Sequence, residues 1–443
     1  MAIEKYDFTQ IDTETFFVKN TTSAYVVNDT TNTVTQVVDT DYPTTTVPGV
    51  VYLDGYIFVM TPIGRIYQSD LNAPSSWQAL NFRTANAFPD SAVAIARQLN
   101  YIIAFKENSI EFFYNAGNPS PGSVLSPVDN ALTKIGCVAA GSIAITSNQI
   151  LFVGHNVEKG RSIYLTNGYL PEPISDQYVD RILNQSTMDD VAAYTIKFNG
   201  HSFYVLTLTD INKTIVIDLN TKLSHFWTSR VAGSVTANTS VTVSNKVATV
   251  YKPAHGYSDG DKIRINGTNI DNANVWIAIK KLDNDYFSYP CDAVNQTATV
   301  VGTSQGYTES YFLPIFYAAT RSKDYVATIN GKIYEMNTTF LNDDSIYIDK
   351  FIRTPLIDGG TSVLKQCTSI ELVGDKMSGN ALIRYSDDDY NSFSFYRTVN
   401  LSEPRSRYVR GGSFRRRNFD IRCVEDLPFR VEALELGLIS GTK

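Results

Sequence analysis

The chain has 443 residues, of which 43% are hydrophobic and only 19% are charged, and its formal net charge is −7. A net negative charge argues against a protein that coats nucleic acid over its whole surface, and the sequence has no run of about 18 apolar residues that could cross a membrane as a helix. Tyr (27) and Phe (23) are abundant; because aromatic residues favour half-buried pleated surfaces, the composition predicts an all-β fold.

The N-terminus and the cysteines both indicate a protein made in a reducing compartment. The opening MAIEKYDFTQ lacks the apolar segment of a signal peptide, so we expect neither export by such a peptide nor a membrane anchor. The cysteines show no CxxC or Cys/His spacing, which indicates neither a zinc site nor a disulfide framework, and we expect buried thiols. They are Cys137, Cys291, Cys367 and Cys423.

Four segments share one pattern, a turn at Asn or Gly followed by a strand rich in β-branched and aromatic residues. The turns are centred on Gly55, Asn100, Asn148 and Asn199, which are 45, 48 and 51 residues apart. A fifth copy spans 321–338. This spacing is close to the repeat length of propeller blades, so we predict a β-propeller with six blades, or five as the alternative. A β-sandwich or two stacked β domains is the competing architecture.

Turn chemistry supports the hairpins. Asn-Gly at 199–200 and 330–331 is the preferred two-residue hairpin signal, because both central residues of a type I′ turn adopt positive φ. Helical character is limited to the short stretches 89–99 and 186–195.

Residues 238–303 interrupt the repeats with short alternating strands, which predicts a small inserted β module. We therefore divide the chain into an N-terminal propeller part (1–237), the module (238–303) and a C-terminal propeller part (304–443). His255 stands near Asp259 and Asp261 in the turn HGYSDGD, but without a nucleophile or metal-ligand spacing a polar turn is favoured.

Sequence motifs of catalysis are missing. The chain has no nucleophile elbow, P-loop, dinucleotide-binding loop or HExxH motif, and His155, His201 and His225 stand in or beside predicted turns without an orienting partner. We predict no catalytic, cofactor-binding or metal-binding residues and no enzymatic activity.

A run of three aspartates lies in SDDDYNSF, residues 386–393. The stretch is similar to the Asp-box of sialidase-like propellers: Ser386, Asp388 and Phe393 match the pattern, whereas Tyr390 replaces its Gly. In such a turn the aspartate caps backbone N–H groups of its own loop. A calcium loop of the EF-hand type would need Glu where Thr398 stands. A structural turn is therefore favoured over a metal site.

The second charged cluster is RSRYVRGGSFRRRNFDIR, in which Asp420 is the only acid. Its arginines are Arg405, Arg407, Arg410, Arg415, Arg416, Arg417 and Arg422. Arginine suits bidentate contacts with phosphate or carboxylate, but strand alternation would place Arg416 on the face opposite Arg415 and Arg417. The first six are candidates for a DNA channel or for ion pairs at a subunit interface, and a solvated surface is the simpler alternative.

The order of several motifs resembles the tail nozzle proteins of short-tailed bacteriophages, also called packaged-DNA stabilisation proteins. The motifs are NSIEFFYNAGNPS (108–120), GRSIYLTNGY (160–169), IRYSDDDYNSFS (383–394) and RRRNFDIR (415–422). The inserted module similarly resembles the HGY…GD domains of phage tail proteins. The Asn- and Thr-rich N-terminus and the large insertion depart from the family pattern.

The resemblance implies a structural virion protein that is assembled in the host cytoplasm. It implies a ring, expected to be a hexamer, that docks on portal and adaptor proteins, contacts tail fibres or spikes, surrounds the packaged double-stranded DNA and takes part in its ejection. It implies no cofactor and no small-molecule substrate. The alternative is a sialidase-like or glycan-binding propeller, but such an enzyme needs several Asp-boxes and a catalytic Tyr/Glu pair.

Overall fold

A computed structural model describes residues 5–119, 121–129, 131–146, 148–156, 160–198, 200–344, 346–348, 350–423, 425 and 427–440. It divides the chain into two compact units. The first comprises the chain up to Trp227 together with Phe312–Met336; the second comprises Thr228–Tyr311 together with the chain from Asn337 onward.

The first unit begins with three four-stranded antiparallel sheets, each a meander in chain order. Sheet one contains β1 (Asp7–Gln10), β2 (Thr15–Lys19), β3 (Ala24–Asn28) and β4 (Thr33–Gln36). Sheet two contains β5 (Val51–Leu53), β6 (Tyr56–Met60), β7 (Arg65–Asp70) and β8 (Ala73–Thr84). Sheet three contains β9 (Ala92–Gln98), β10 (Tyr101–Lys106), β11 (Ile110–Asn115) and β12 (Leu125–Pro127).

Two further sheets follow. Sheet four contains β13 (Gly136–Cys137), β14 (Ala144–Thr146), β15 (Gln149–Asn156), β16 (Gly160–Thr166) and β17 (Pro171–Pro173). A 3-10 turn, Ala140–Ser142, separates β13 from β14, and both strands pair with β15. Sheet five contains β18 (Val191–Phe198), β19 (His201–Leu208), β20 (Lys213–Asp218) and β21 (Ser224–Trp227).

Strand alternation explains why consecutive sheets stack face to face. In β10, Ile102 and Ala104 pack into a core shared with sheet two, whereas Ile103 and Phe105 pack into a core shared with sheet four. Because successive side chains of a strand point to opposite faces, an apolar run such as YIIAF is buried on both sides. Strands β15 and β19 behave in the same way. This stacking is the arrangement of propeller blades.

Helical structure appears where the sequence did not predict it. The helix α1 (Gln177–Leu183) follows sheet four, and Asp176 caps it by accepting a hydrogen bond from the Val179 N–H at 2.8 Å. The stretches expected to be helical, 89–99 and 186–195, instead contribute to β9 and β18, because pairing with neighbouring strands outweighs their weak local helix propensity. No helix among the described residues is long and apolar enough to cross a membrane.

The inserted module consists of two packed sheets of the second unit. Its strands are β22 (Ser229–Ala232), β23 (Thr236–Ala237), β24 (Ser240–Ser244), β25 (Val247–Tyr251), β26 (Lys262–Thr268), β27 (Val275–Ala278), β28 (Lys280–Lys281), β29 (Tyr286–Pro290), β30 (Gln296–Thr297) and β31 (Val301–Ser310). Because β22 pairs with β31 from Ser229 to Ser310, the module extends beyond the predicted boundaries at 238 and 303.

The chain then returns to the first unit and forms a sixth sheet of three strands. They are β32 (Pro314–Ala319), β33 (Asp324–Thr328) and β34 (Ile333–Met336). The predicted hairpin at 330–331 forms with a three-residue loop in place of a type I′ turn, since Thr328 N–H donates to Lys332 O at 2.9 Å and of the Asn-Gly pair only Gly331 adopts positive φ, 81°. Asn199 lies outside the described residues. Six sheets are thus described in this unit, and the blade number stays a prediction.

The C-terminal segment forms a β-sandwich within the second unit. Its strands are β37 (Lys350–Arg353), β38 (Lys365–Gly374), β39 (Asn380–Ser386), β40 (Arg397–Asn400), β41 (Ser406–Phe414), β42 (Asn418–Cys423) and β43 (Val431–Ser440). A separate two-stranded sheet of β35 (Asn342–Asp343) and β36 (Ile346–Tyr347) precedes them. Sheets β37-β42-β39-β40 and β41-β38-β43 enclose one apolar core.

The sandwich also shares a core with the inserted module, to which Leu382 and Tyr396 contribute. The expected assignment of 304–443 to the propeller therefore differs from the compact units, where only Phe312–Met336 of that range joins the first unit. The grouping of this segment depends on pairing between strands that are distant in sequence, and the pattern of local hairpins does not predict such pairing.

Candidate functional site

All the predicted site residues lie in the C-terminal sandwich. The SDDD stretch forms the turn between β39 and β40, and the arginine-rich segment covers β41, β42 and the connection between them. The single Asp-box-like turn therefore joins two strands of the second unit and lies outside the propeller sheets.

The side chain of Asp388 forms hydrogen bonds within its own turn. Its carboxylate accepts hydrogen bonds from the Ser386 hydroxyl at 2.8 Å, the Ser392 N–H at 2.8 Å and the Ser392 hydroxyl at 2.5 Å. The Ser386 hydroxyl in turn accepts the Tyr390 N–H at 2.8 Å. These hydrogen bonds from Ser392 and Ser386 favour the charged carboxylate and lower the pKa of Asp388 to about 2. The arrangement is that of a capped turn.

The third matched residue, Phe393, packs beside this turn. Its ring lies 3.8 Å from the guanidinium of Arg384, and the same guanidinium lies 4.4 Å from the ring of Tyr396. Arginine stacked between two rings orders the loop that follows the turn. Phe393 is therefore placed for a packing role.

The two aspartates that flank Asp388 face the arginine-rich segment. Asp387 binds Arg417, with Nε–Oδ1 at 2.6 Å and Nη2–Oδ2 at 2.7 Å. Asp389 lies 3.6 Å from Arg416, and both side chains are exposed. The run of three aspartates thus divides into one cap, one close ion pair and one loose surface pair.

Arg417 is a core residue. Only 1% of it is exposed, and its guanidinium lies 3.6 Å from the ring of Tyr385 and 4.4 Å from that of Phe414. It also donates to the carbonyl oxygens of Gly411 and Ser413. The charge of Arg417 is thus already paired and enclosed by its own chain, which disfavours this residue among the six candidates for a DNA channel or a subunit interface, and that assignment stays a prediction. Moreover, residues 415–417 lie between β41 and β42 and form no alternating strand.

Arg405 and Arg407 face acidic residues of their own sheet. Arg405 Nη2 lies 2.8 Å from Glu371, and Arg407 is paired in register with Glu371, which in turn is opposite Glu435 of β43. The hydrogen bond from Arg405 and the nearby charge of Arg407 lower the pKa of Glu371. Both arginines thus belong to a charged row on the solvent side of the sheet.

Arg410 and Arg415 are exposed. Arg410 adopts φ 68° at an irregularity of β41, where the register with β38 shifts between Cys367 and Ser369. Arg415 donates to the carbonyl oxygen of Ser362 at 2.8 Å. Neither forms an ion pair with a described acidic side chain within 4 Å, so these two retain the most uncompensated charge of the six candidates.

The structure contains a second arginine cluster, which the sequence did not predict. Three guanidinium groups surround the fully buried carboxylate of Asp420: Arg384 at 3.0 Å, Arg422 at 3.2 Å and Arg353 at 3.6 Å. The register of β37, β42 and β39 places Arg353, Asp420 and Arg384 in one row. These arginines are far apart in sequence, so no local motif could reveal the cluster; the alternation of β42 gave the only signal.

The cysteines and histidines form no reactive arrangement in the described part of the chain. All four cysteines are buried and none forms a disulfide bond, and burial raises the pKa of Cys137 to about 12 and that of Cys291 to about 11, which keeps these thiols protonated and unreactive. His201 pairs with Asp218 at 2.7 Å. Among the described residues, no group of three or more His, Cys, Asp or Glu side chains is arranged to hold a metal ion.

Comparison with known proteins connects this architecture to one family. A family model described as "Bacteriophage P22 Gp10, beta-propeller", of the phage-stabilise family, matches residues 4–248, more than half of the chain. The tail hub protein gp10 of Salmonella phage P22 is 22% identical over 129 residues, which cover 28% of this chain and 27% of that protein.

Among solved structures, this chain matches BamB from Moraxella catarrhalis and the WD40 β-propeller domain of Doa1 at low TM-scores. BamB matches with a TM-score of 0.32 and 8% identity over 75% of this chain and 98% of its own. The Doa1 domain matches with a TM-score of 0.34 and 9% identity over 74% of this chain and 92% of its own. With the family match to residues 4–248, the predicted all-β propeller class is confirmed, and the chain belongs to the phage-stabilise family of the bacteriophage P22 Gp10 β-propeller.

Proposed function

We propose that the chain is a structural component of a phage tail, a nozzle or hub that extends the DNA channel below the portal and its adaptor. In this role it retains the packaged double-stranded DNA until ejection and acts without enzymatic activity. The observation that carries the proposal is the family match over 4–248, which spans the first five stacked sheets. The partners proposed are other copies of the chain, portal and adaptor proteins, and tail fibres or spikes.

The surface of the sixth sheet supports assembly with other chains. Ile333 on its outer strand β34 is 72% exposed, and Phe316 on β32 is 56% exposed. Sheets one, two, three and five have a fourth strand, whereas no fourth strand pairs with β34 among the described residues. An open edge with exposed apolar side chains favours contact with another chain. A ring requires such a heterologous contact between two different patches, and we propose a hexamer.

Contact with DNA is proposed only for the exposed arginines that form no ion pair with a described acidic side chain, which leaves out Arg405 and Arg416. Arg407, Arg410 and Arg415 present guanidinium groups at the surface of the sandwich, and arginine binds phosphate through bidentate hydrogen bonds. Because the chain is acidic overall, a few exposed cations allow DNA to be held loosely and then released, as a channel requires.

The alternative function, a sialidase-like or glycan-binding propeller, is not favoured. Its Asp-box would have to recur within the propeller sheets, whereas the one turn with this pattern lies between β39 and β40 of the sandwich.

The deciding experiment is cryo-electron microscopy of the assembled particle. We expect density for six copies of this chain in a closed ring on the tail axis, in contact with the adaptor. A position at a fibre tip, or an isologous dimer away from the axis, would refute the proposal. Mass measurement of the isolated protein is a poor substitute, since rings that form on a template can be monomeric in solution.

A further inference from the structure

The inserted module contains a cavity of about 570 Å³. Its walls come from the turn after β25, from the segment between β22 and β23, and from β31. The side chains that matter for its chemistry are Lys252, His255, Tyr257, Asp261 and Tyr307.

Lys252 brings a buried positive charge to this cavity. The residue is only 8% exposed, and its ammonium group donates to the Tyr257 hydroxyl at 2.9 Å and the Ser304 hydroxyl at 2.8 Å. No carboxylate of the described residues lies within 4 Å of Nζ. A buried ammonium with neutral partners alone is costly, and an anion beside it removes that cost. An ammonium group has three N–H donors, so the third is available to a ligand.

His255 adds no charge, because its hydrogen bonds define a neutral ring. Nδ1 accepts the Tyr257 N–H at 2.9 Å, so this nitrogen carries no proton. Nε2 lies 3.1 Å from the carbonyl oxygen of Asp283 and 3.4 Å from that of Tyr286, so it carries the proton and donates. The histidine therefore fixes the wall of the cavity.

The turn around His255 is held in an uncommon conformation. Ala254 adopts φ 50° and Gly256 φ 70°, and the Ala254 N–H donates to Asp285 at 2.8 Å. A left-handed conformation is unfavourable for alanine, because its Cβ lies too close to the backbone, and such positions cluster at binding sites. Gly306 allows the Tyr257 ring to pack closely against β31, because a Cβ at this position would lie 2.9 Å from the ring.

Asp261 determines which anions suit the cavity. Its exposed carboxylate accepts the Ser258 N–H at 2.7 Å and lines the cavity more than 4 Å from the Lys252 ammonium. It repels a dianion but accepts hydrogen bonds from ligand hydroxyl groups. The cavity thus combines one cation, one acceptor of hydroxyl hydrogen bonds, and the rings of Tyr257 and Tyr307.

We propose that this cavity is a binding site for a saccharide that carries a single carboxylate, of the hexuronic acid class. The carboxylate binds Lys252 and the hydroxyl of Tyr257, and sugar hydroxyls bind Asp261. The site is independent of the propeller and of the proposed role in the tail, so either can fail without the other.

Isothermal titration calorimetry of the full chain tests the site with glucuronate, glucose and inorganic phosphate as probes. We expect glucuronate to bind, glucose and phosphate to bind at least about tenfold more weakly, and Lys252→Met to weaken glucuronate binding by about tenfold or more, the effect of losing a hydrogen bond to a charged group. The matched control is Lys280→Met, which removes an exposed lysine of the same module and should leave binding unchanged.

Tyr257→Phe provides a second variant, since it removes one hydroxyl and keeps the ring; it should also weaken binding, and circular dichroism checks that each variant is folded. The proposal is overturned if glucuronate does not bind, if phosphate or glucose binds as well as glucuronate, or if a folded Lys252→Met or Tyr257→Phe variant binds like the unmodified chain. In each of those cases Lys252 only supports the fold of the module.

Discussion

Arg417 and Asp387 form a bidentate ion pair across the sandwich, with both nitrogen–oxygen distances at or below 2.7 Å. The guanidinium is buried between the rings of Tyr385 and Phe414, whereas 43% of the Asp387 side chain is exposed. The pair therefore connects the turn after β39 to the connection between β41 and β42. Arg417 therefore has a structural role in the core, whereas its neighbours Arg415 and Arg416 lie at the surface.

Arg417→Ala should destabilise the protein by about 2–3 kcal/mol, because it leaves buried carbonyl groups without donors and removes the packing between two rings. The midpoint of urea denaturation measures the effect. Arg416→Ala is the matched control: its side chain is exposed and its ion pair is loose, so a change within about 0.5 kcal/mol is expected. Equal effects of the two substitutions would contradict the assignment of Arg417 to the core.

Asp388→Asn should lower the melting temperature at neutral pH, because the carboxylate accepts three hydrogen bonds within its turn. The folded-state pKa of about 2 lies below the ordinary value of 3.8, so this stabilisation is fully present above 3.8 and is lost as the pH falls through 2. The difference in melting temperature between the variant and the unmodified chain should therefore shrink between pH 4 and pH 2.

Asp389→Asn is the control for this turn, since among the described residues the ion pair of Asp389 is the loose one with Arg416, and the substitution should leave the melting temperature at neutral pH close to that of the unmodified chain. Calcium should leave the melting temperature of the unmodified chain unchanged. A rise with calcium that disappears in Asp388→Asn would instead identify a metal site.

Lys106→Met should destabilise the propeller unit by about 3–5 kcal/mol, the cost of breaking a buried ion pair on one side. Lys106 is 1% exposed, lies 2.8 Å from Asp90 and 3.5 Å from Glu111, and donates to the Ala85 carbonyl at 3.0 Å. Burial raises the pKa of Glu111, and without Lys106 its charge is still more costly. Urea denaturation measures the loss.

The exposed Lys134 is the control for Lys106, and Lys134→Met should change stability by no more than about 0.5 kcal/mol. Adding Glu111→Gln to Lys106→Met should restore part of the stability, because it removes one of the two uncompensated acids. Full stability of Lys106→Met alone would mean that the ion pairs contribute nothing to the packing of sheet three.

Replacing Arg407, Arg410 and Arg415 together by Glu should leave particles assembled but leaky or slow to eject their DNA, if these side chains face the channel. In the isolated protein, any DNA affinity should fall with salt, and the slope of log affinity against log salt should decrease by about 3 in the variant. Lys280→Glu in the inserted module is the control. Failure of the triple variant to join the particle would place these arginines at a subunit interface.

The sequence predicted the repeating hairpins because their signal is local. An apolar run such as YIIAF requires burial on both faces of the strand, and turns about 45–51 residues apart repeat the same unit. Both features indicate stacked sheets without knowledge of any long-range contact. The cap at Asp388 is also local, since its partners lie within four residues.

The ends of the module and the grouping of the C-terminal segment could not be predicted in the same way. Strand β22 pairs with β31, whose partner residues come 75 to 81 positions later in the chain, and the choice between such distant partners depends on the whole fold. The pattern of residues 337–443 is compatible with a propeller sheet or a sandwich, because both bury alternate residues.

The sequence by itself determined that this chain is all-β, that its first half is built from repeated hairpins, and that arginine is concentrated near its end. Only the tertiary structure decided which arginines have their charge compensated by a nearby acid. Arg417 is enclosed with Asp387, Arg405 faces Glu371, and Arg353 and Arg384 come from distant strands to contact Asp420. The alternation of residues along a strand specifies the face of the sheet on which a side chain lies. Whether an arginine on that face can still bind a partner depends on the acidic and aromatic side chains that contact it, and in this chain those side chains come from strands far away in sequence.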